Sequence, residues 1–117
     1  MTEHARLVVE KLHAALGAKD LDAIVSLYAD DAELIRYDGA ATGRESIREF
    51  YDRYLANHGA YDLDRIVEFR AFDDVMLWDA MISADEGMLM TYDVAILDDD
   101  GLIERHVPTI RGYWGKI

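Results

Sequence analysis

The feature that most constrains this chain is a change of hydrophobic period at Gly59. Before it apolar residues recur three and four apart, and after it they alternate, so helices must cover one side of the core and strands the other. Ala5, Val8, Val9, Leu12, Ala15 and Leu16 predict a first helix ending at Gly17, where a left-handed residue is wanted. Asp20 reads as the N-cap of a short second helix with Leu21, Ile24, Val25 and Tyr28 on its buried side, closed by Asp30 and Asp31. Ala32 to Tyr37 reads as a strand and Gly39 as part of a loop. Thr42-Gly43-Arg44-Glu45 has the spacing of a capping box, so a third helix is expected there, burying Ile47, Phe50, Tyr51, Tyr54 and Leu55 and stopping near Asn57-His58-Gly59.

Beyond Gly59, acidic and glycine punctuation delimits four strands, roughly 61–72, 75–84, 88–97 and 102–114. Helices followed by a long meander give an α+β order: three N-terminal helices packed in the concave face of a curved, mainly antiparallel sheet. Such a sheet encloses a cone. No repeat, low-complexity tract or linker interrupts residues 1–117, so one domain is expected across them.

Alternation predicts which strand residues face the cone. If Asp93 points inward, Thr91, Ala95 and Leu97 share its face, while Tyr92, Val94 and Ile96 point outward. Leu34 and Arg36 face inward on the first strand, and His106, Pro108 and Ile110 on the last. On the strand that bears Trp78, the small Ala80 beside Ile82 leaves room for a ligand. Arg36, Tyr51, Asp93 and His106 then converge as a polar set, walled by Leu12, Leu34, Phe50, Tyr54, Trp78, Ala80, Ile82, Ala95 and Ile110, with Phe69 and Met90 as further candidates. Imidazole gives and takes protons near neutrality, which suits His106 to acid–base work. A buried guanidinium needs a partner, so Arg36 should face Asp93 or an anionic substrate group; Asp38 is the second candidate for its inward place. The apolar outer sheet face predicts a homodimer.

Twenty-four acidic residues against twelve basic ones give a formal charge of -12, a field that repels phosphate backbones and anionic headgroups. Neither nucleic acid nor a membrane is an expected partner. The absence of Cys removes disulfides, thiolate nucleophiles and thiolate metal sites. His4, His13 and His58 fall at helix surfaces or ends without His-x-x-x-His spacing, and Asp98 to Asp100 before Gly101 reads as a hairpin turn, so no metal or cofactor is expected. No targeting segment is expected, and there is no apolar run of the about 18 residues that a membrane helix needs; the expectation is a soluble, cytoplasmic protein.

The segment Asp20-Leu21-Asp22-Ala23-Ile24-Val25-Ser26-Leu27-Tyr28-Ala29-Asp30-Asp31-Ala32 resembles the second helix and first strand of the nuclear transport factor 2-like superfamily, in particular ketosteroid isomerases and SnoaL-like polyketide cyclases. Gly43 to Tyr51, with its Ile-Arg-Glu-Phe-Tyr, and Asp100-Gly-Leu-Ile-Glu-Arg-His106 are similar to further stretches of that superfamily. In a ketosteroid isomerase a strand-one Asp shuttles the proton, while a helix-one Tyr and a protonated Asp hold the dienolate oxygen. The resemblance places the shuttle position on Arg36 and the Tyr position on Leu12, neither of which can do those jobs. It places the donor Asp on Asp93 and a supporting Tyr on Tyr51.

The resemblance therefore implies a cofactor-free acid–base enzyme of the SnoaL-like type, an isomerase, cyclase, dehydratase or epoxide hydrolase. Its substrate would be a small hydrophobic polyketide-, terpenoid- or steroid-like metabolite. The alternative is a noncatalytic ligand-binding or dimerisation module of the same fold, which the losses at Leu12 and Arg36 favour and the retention of Asp93 with His106 opposes.

Overall fold

The computed structural model describes the backbone of residues 2–115 and the side chains of residues 3–112. In chain order the elements are α1 (Thr2–Ala18), α2 (Leu21–Val25), β1 (Tyr28–Arg36), β2 (Gly39–Thr42), α3 (Arg44–His58), β3 (Tyr61–Phe72), β4 (Val75–Ala84), β5 (Gly87–Leu97) and β6 (Ile103–Gly115). The strands form one curved, unclosed sheet in the order β2-β1-β6-β5-β4-β3, antiparallel throughout except for the parallel pair β1–β6. This is the α+β cone anticipated from the sequence. The inner face of β4 (Met76, Trp78, Ala80, Ile82) and that of β5 (Leu89, Thr91, Asp93, Ala95) are buried in one core with Val8, Val9, Leu12 and Leu16 of α1.

Four local expectations are corrected. α1 continues through Gly17, and the left-handed residue is Lys19 (φ 56). The backbone N–H groups of Lys19 and Asp20 return to the carbonyls of Leu16 (3.1 Å) and Ala15 (3.0 Å), which satisfies the end of the helix. Gly17 serves close approach instead: a Cβ there would lie 3.3 Å from the Asp62 carboxylate and 3.6 Å from the Tyr61 carbonyl at the start of β3. α2 stops at Val25, where the Ser26 hydroxyl donates to the Ala23 carbonyl (2.7 Å) and the Leu27 N–H to that of Ile24 (3.1 Å), so Tyr28 opens β1 rather than closing a helix.

Gly39–Thr42 is a strand paired with β1, not a loop, and Asp38 is exposed in the turn between the two, so it does not take the inward place. Because Thr42 pairs with Glu33 in that ladder, it cannot cap α3; Gly43 at φ 87 is the N-cap, without a side-chain bond, and its N–H donates to the Ala32 carbonyl at 2.8 Å.

The outer sheet face carries Leu77, Met81, Met90, Val94 and Ile96 half-buried and Tyr92 and Val107 exposed. An Arg111–Asp79 ion pair at 2.8 Å interrupts it, with Arg111 over the Tyr92 ring. Among the described residues no helix is long and apolar enough to cross a membrane.

Candidate functional site

Three buried hydrogen bonds join four side chains from β5, β6, β1 and α3. Asp93 Oδ2 lies 2.7 Å from His106 Nε2, His106 Nδ1 lies 2.7 Å from the Tyr28 hydroxyl, and that hydroxyl lies 2.7 Å from the hydroxyl of Tyr51. The β5–β6 register puts Asp93 opposite Pro108 and Ala95 opposite His106, so the two side chains reach diagonally across one sheet face. Tyr28 is placed by an irregularity in the β1–β6 pairing between Tyr28 and Glu33, where Arg44 donates twice to the Tyr28 carbonyl (2.9 and 2.7 Å). Complete burial pushes the Tyr28 and Tyr51 phenols far above their usual range. Both are therefore neutral hydroxyls, each able to donate one hydrogen bond and accept another.

The chain has two internally consistent directions. With Asp93 a carboxylate, His106 donates from Nε2, Nδ1 accepts from Tyr28, and Tyr28 accepts from Tyr51. With Asp93 protonated and donating to Nε2, each bond reverses, and the Tyr51 hydroxyl proton is left to point elsewhere.

Behind this chain Trp78 links two histidines. Its ring stacks on His106 (centroids 5.7 Å, 25°) and its indole N–H donates to His13 Nε2 at 3.0 Å. His13 is buried rather than on a helix surface as expected. Desolvation holds its pKa down to about 4, against a raising influence of Asp93 and a further lowering one of His106.

Asp93, His106 and Tyr51 open onto a hollow of about 440 Å³, mouth included, which Leu12, His13 and Thr91 also line. It is narrow, with most of that space too close to the walls for the centre of a water molecule. Arg36, Phe50, Tyr54 and Ile110 stand where it meets a wider vestibule that contains Leu34, Asp38 and Arg53. Phe50 and Tyr54 stack (5.4 Å, 20°), and the Tyr54 hydroxyl bonds that of Tyr61 at 2.8 Å.

Arg36 does not pair with Asp93. Its guanidinium lies over Phe50 (5.4 Å) and Tyr54 (5.6 Å), and among the described residues it makes no ion pair. The reason is position: Arg36 ends β1 at the mouth, whereas Asp93 is committed to His106 farther in.

Of the expected wall, Leu12, Phe50, Tyr54 and Ile110 line the hollow and Leu34 the vestibule. Trp78, Ala80, Ile82 and Ala95 do not line the hollow; they are buried in the core behind it, where the helices fill the space the alanines were expected to leave. Phe69 lies under Arg6 of α1 (5.3 Å), and Met90 is on the outer face. Sequence reasoning missed Tyr28 and His13 as site residues; Thr91 was set on the inward face beside Asp93 but not singled out for the site. His4 bonds the Gly101 carbonyl at 3.1 Å, away from the hollow, whereas His58 bonds Glu86 at 2.7 Å, lines the vestibule and packs on the Tyr54 ring (4.5 Å). Among the described residues no cluster of three or more His, Asp or Glu is placed to hold a metal ion.

Comparison with known proteins agrees with this architecture. A SnoaL-like protein of unknown function from Burkholderia thailandensis E264 superposes with a TM-score of 0.80 at 19% identity, over 96% of this chain and 98% of that one. A candidate ketosteroid isomerase from Kribbella flavida DSM 17836 gives 0.80 at 18%, over 99% and 84%. A candidate polyketide cyclase from Sinorhizobium meliloti gives 0.76 at 19%, over 87% and 93%. At these identities the likeness is one of fold. The family model of the SnoaL-like domain matches residues 9–106, most of the chain, and with the cone and its buried polar chain in place the protein belongs to the SnoaL-like domain family.

Proposed function

We propose that the protein catalyses cofactor-free proton transfer at a carbon next to a carbonyl in a small, largely apolar metabolite. The observation that carries this reading is the unbroken chain from Asp93 to Tyr51, both ends of which line one hollow. From the state with Asp93 protonated, one proton moves along each link: Asp93 to His106 Nε2, His106 Nδ1 to Tyr28, Tyr28 to Tyr51, and Tyr51 to the substrate oxygen. The freed Asp93 carboxylate takes the proton from carbon, and the product is the enol with no net proton gained or lost. The shielded site strengthens the donor at the moment charge builds on oxygen. Arg36, which makes no ion pair among the described residues, receives the polar or anionic end of the ligand at the mouth.

The test is deuterium uptake beside the carbonyl in a panel of small cyclic and aryl ketones, followed by NMR in D2O. The folded protein should accelerate uptake over unfolded protein at equal concentration. No acceleration anywhere in the panel, with a ligand-dependent rise in Tm, leaves the noncatalytic binding module as the function.

We further propose a homodimer through the outer sheet face, where exposed Tyr92 and Val107 and their half-buried apolar neighbours flank the Arg111–Asp79 pair. Sedimentation equilibrium should give the mass of two chains, and Val107→Glu should shift it toward one. A wild-type monomer at micromolar concentration rejects the dimer.

A further inference from the structure

Two buried polar atoms among the described residues, His13 Nδ1 and Thr91 Oγ1, lack a hydrogen-bond partner although both residues line the hollow. Trp78 fixes the state of the first. An indole N–H can only donate, so His13 Nε2 accepts it, and the neutral ring carries its proton on Nδ1. Asp93 and His106 are the ionisable groups that act on this ring, and burial keeps it neutral between them. His13 thus offers a fixed N–H donor that costs stability while it stays unmatched. Thr91 offers a hydroxyl two residues from Asp93 on the same inner face of β5.

We infer that His13 Nδ1–H and the Thr91 hydroxyl together bind a second oxygen of the ligand, so that the hollow takes a small molecule with oxygens on both sides of the carbon that meets Asp93, such as a 1,3-dione or a β-hydroxy ketone. One oxygen lies at Tyr51 and the other at His13 and Thr91. This rests on the reading of the hollow as the ligand site and adds to it the substrate class.

The probes are 1-phenylbutane-1,3-dione and butyrophenone, which share the phenyl ketone and differ in the second oxygen. Butyrophenone is the more apolar, so burial alone favours it. Wild-type protein should bind the dione about tenfold more tightly, the worth of one or two net hydrogen bonds. Thr91→Val should abolish most of that preference without lowering the Tm of the ligand-free protein, because it removes a hydroxyl that bonds nothing there; Thr91→Ser should keep the preference. In long-range 1H–15N NMR the His13 ring should show the Nδ1–H tautomer and shift when the dione is added.

Equal affinity of the wild-type protein for the two probes, an unchanged preference in Thr91→Val, a lowered ligand-free Tm in that variant, or a His13 signal unmoved by the dione each overturns the inference. These are binding measurements. A ketone panel without deuterium uptake overturns the proton-transfer reading while a retained dione preference upholds the oxygen site; uptake without the preference does the reverse.

Discussion

Asp93→Asn should lower deuterium uptake by about 10²–10⁴-fold while the protein stays folded and still binds ketone. Asparagine can offer an N–H to His106 Nε2 where Asp93 Oδ2 now sits 2.7 Å away, so the buried chain keeps its bonds. What is lost is the one group in the chain that both accepts a proton from carbon and returns it. With the amide N–H toward Nε2, His106 carries its proton on Nδ1, Tyr28 donates to Tyr51, and the Tyr51 hydroxyl points outward: a binding state without a base. Asp93→Leu separates this from packing, because it also strands a buried imidazole nitrogen and should cost about 1–3 kcal/mol in urea unfolding. Uptake by Asp93→Asn at the wild-type rate would remove Asp93 from the mechanism.

Acid should destabilise the protein through His13. In the unfolded chain this imidazole takes a proton as the pH falls through its ordinary 6.5, whereas in the fold burial delays protonation to about 4. Between those values the unfolded state binds more protons, so stability falls as the pH falls; above the window both states are neutral and the contribution is constant. The gap between 6.5 and about 4 corresponds to about 3 kcal/mol lost by the lower end. Urea unfolding at pH 7, 6 and 5 measures it, and His13→Gln, which keeps an acceptor for the Trp78 indole, should flatten the slope relative to wild type. Parallel slopes in the two proteins would mean that His13 is not the neutral buried group described.

The strands from Gly59 onward were legible because each turn is marked by acidic residues or glycine and because one buried sheet face enforces alternation along most of β5. That alternation also set Asp93 and Thr91 on one face. Tyr28 was hidden by phase: at four residues from Ile24 it fits a helix face as well as a strand start, and only the tight turn at Ser26 and Leu27 decides between them. His13 was hidden by its neighbours. On a helix with charged residues nearby it reads as surface, and its burial comes from Trp78, 65 residues away. Arg36 was expected inward, but it lies at the rim, because β1 ends there and the turn at Asp38 begins the β1–β2 hairpin.

The order of elements, the cone and the inward set on β5 and β6 follow from the sequence itself, because hydrophobic period and turn chemistry are local and repeat often enough to outweigh single exceptions. The tertiary structure alone decided which polar groups meet. Tyr28, Tyr51, Asp93 and His106 come from four elements, and His13, Trp78 and Thr91 from three; hydrogen-bond partners are chosen by distances of a few tenths of an ångström across a packed core, and no pattern within one segment records them.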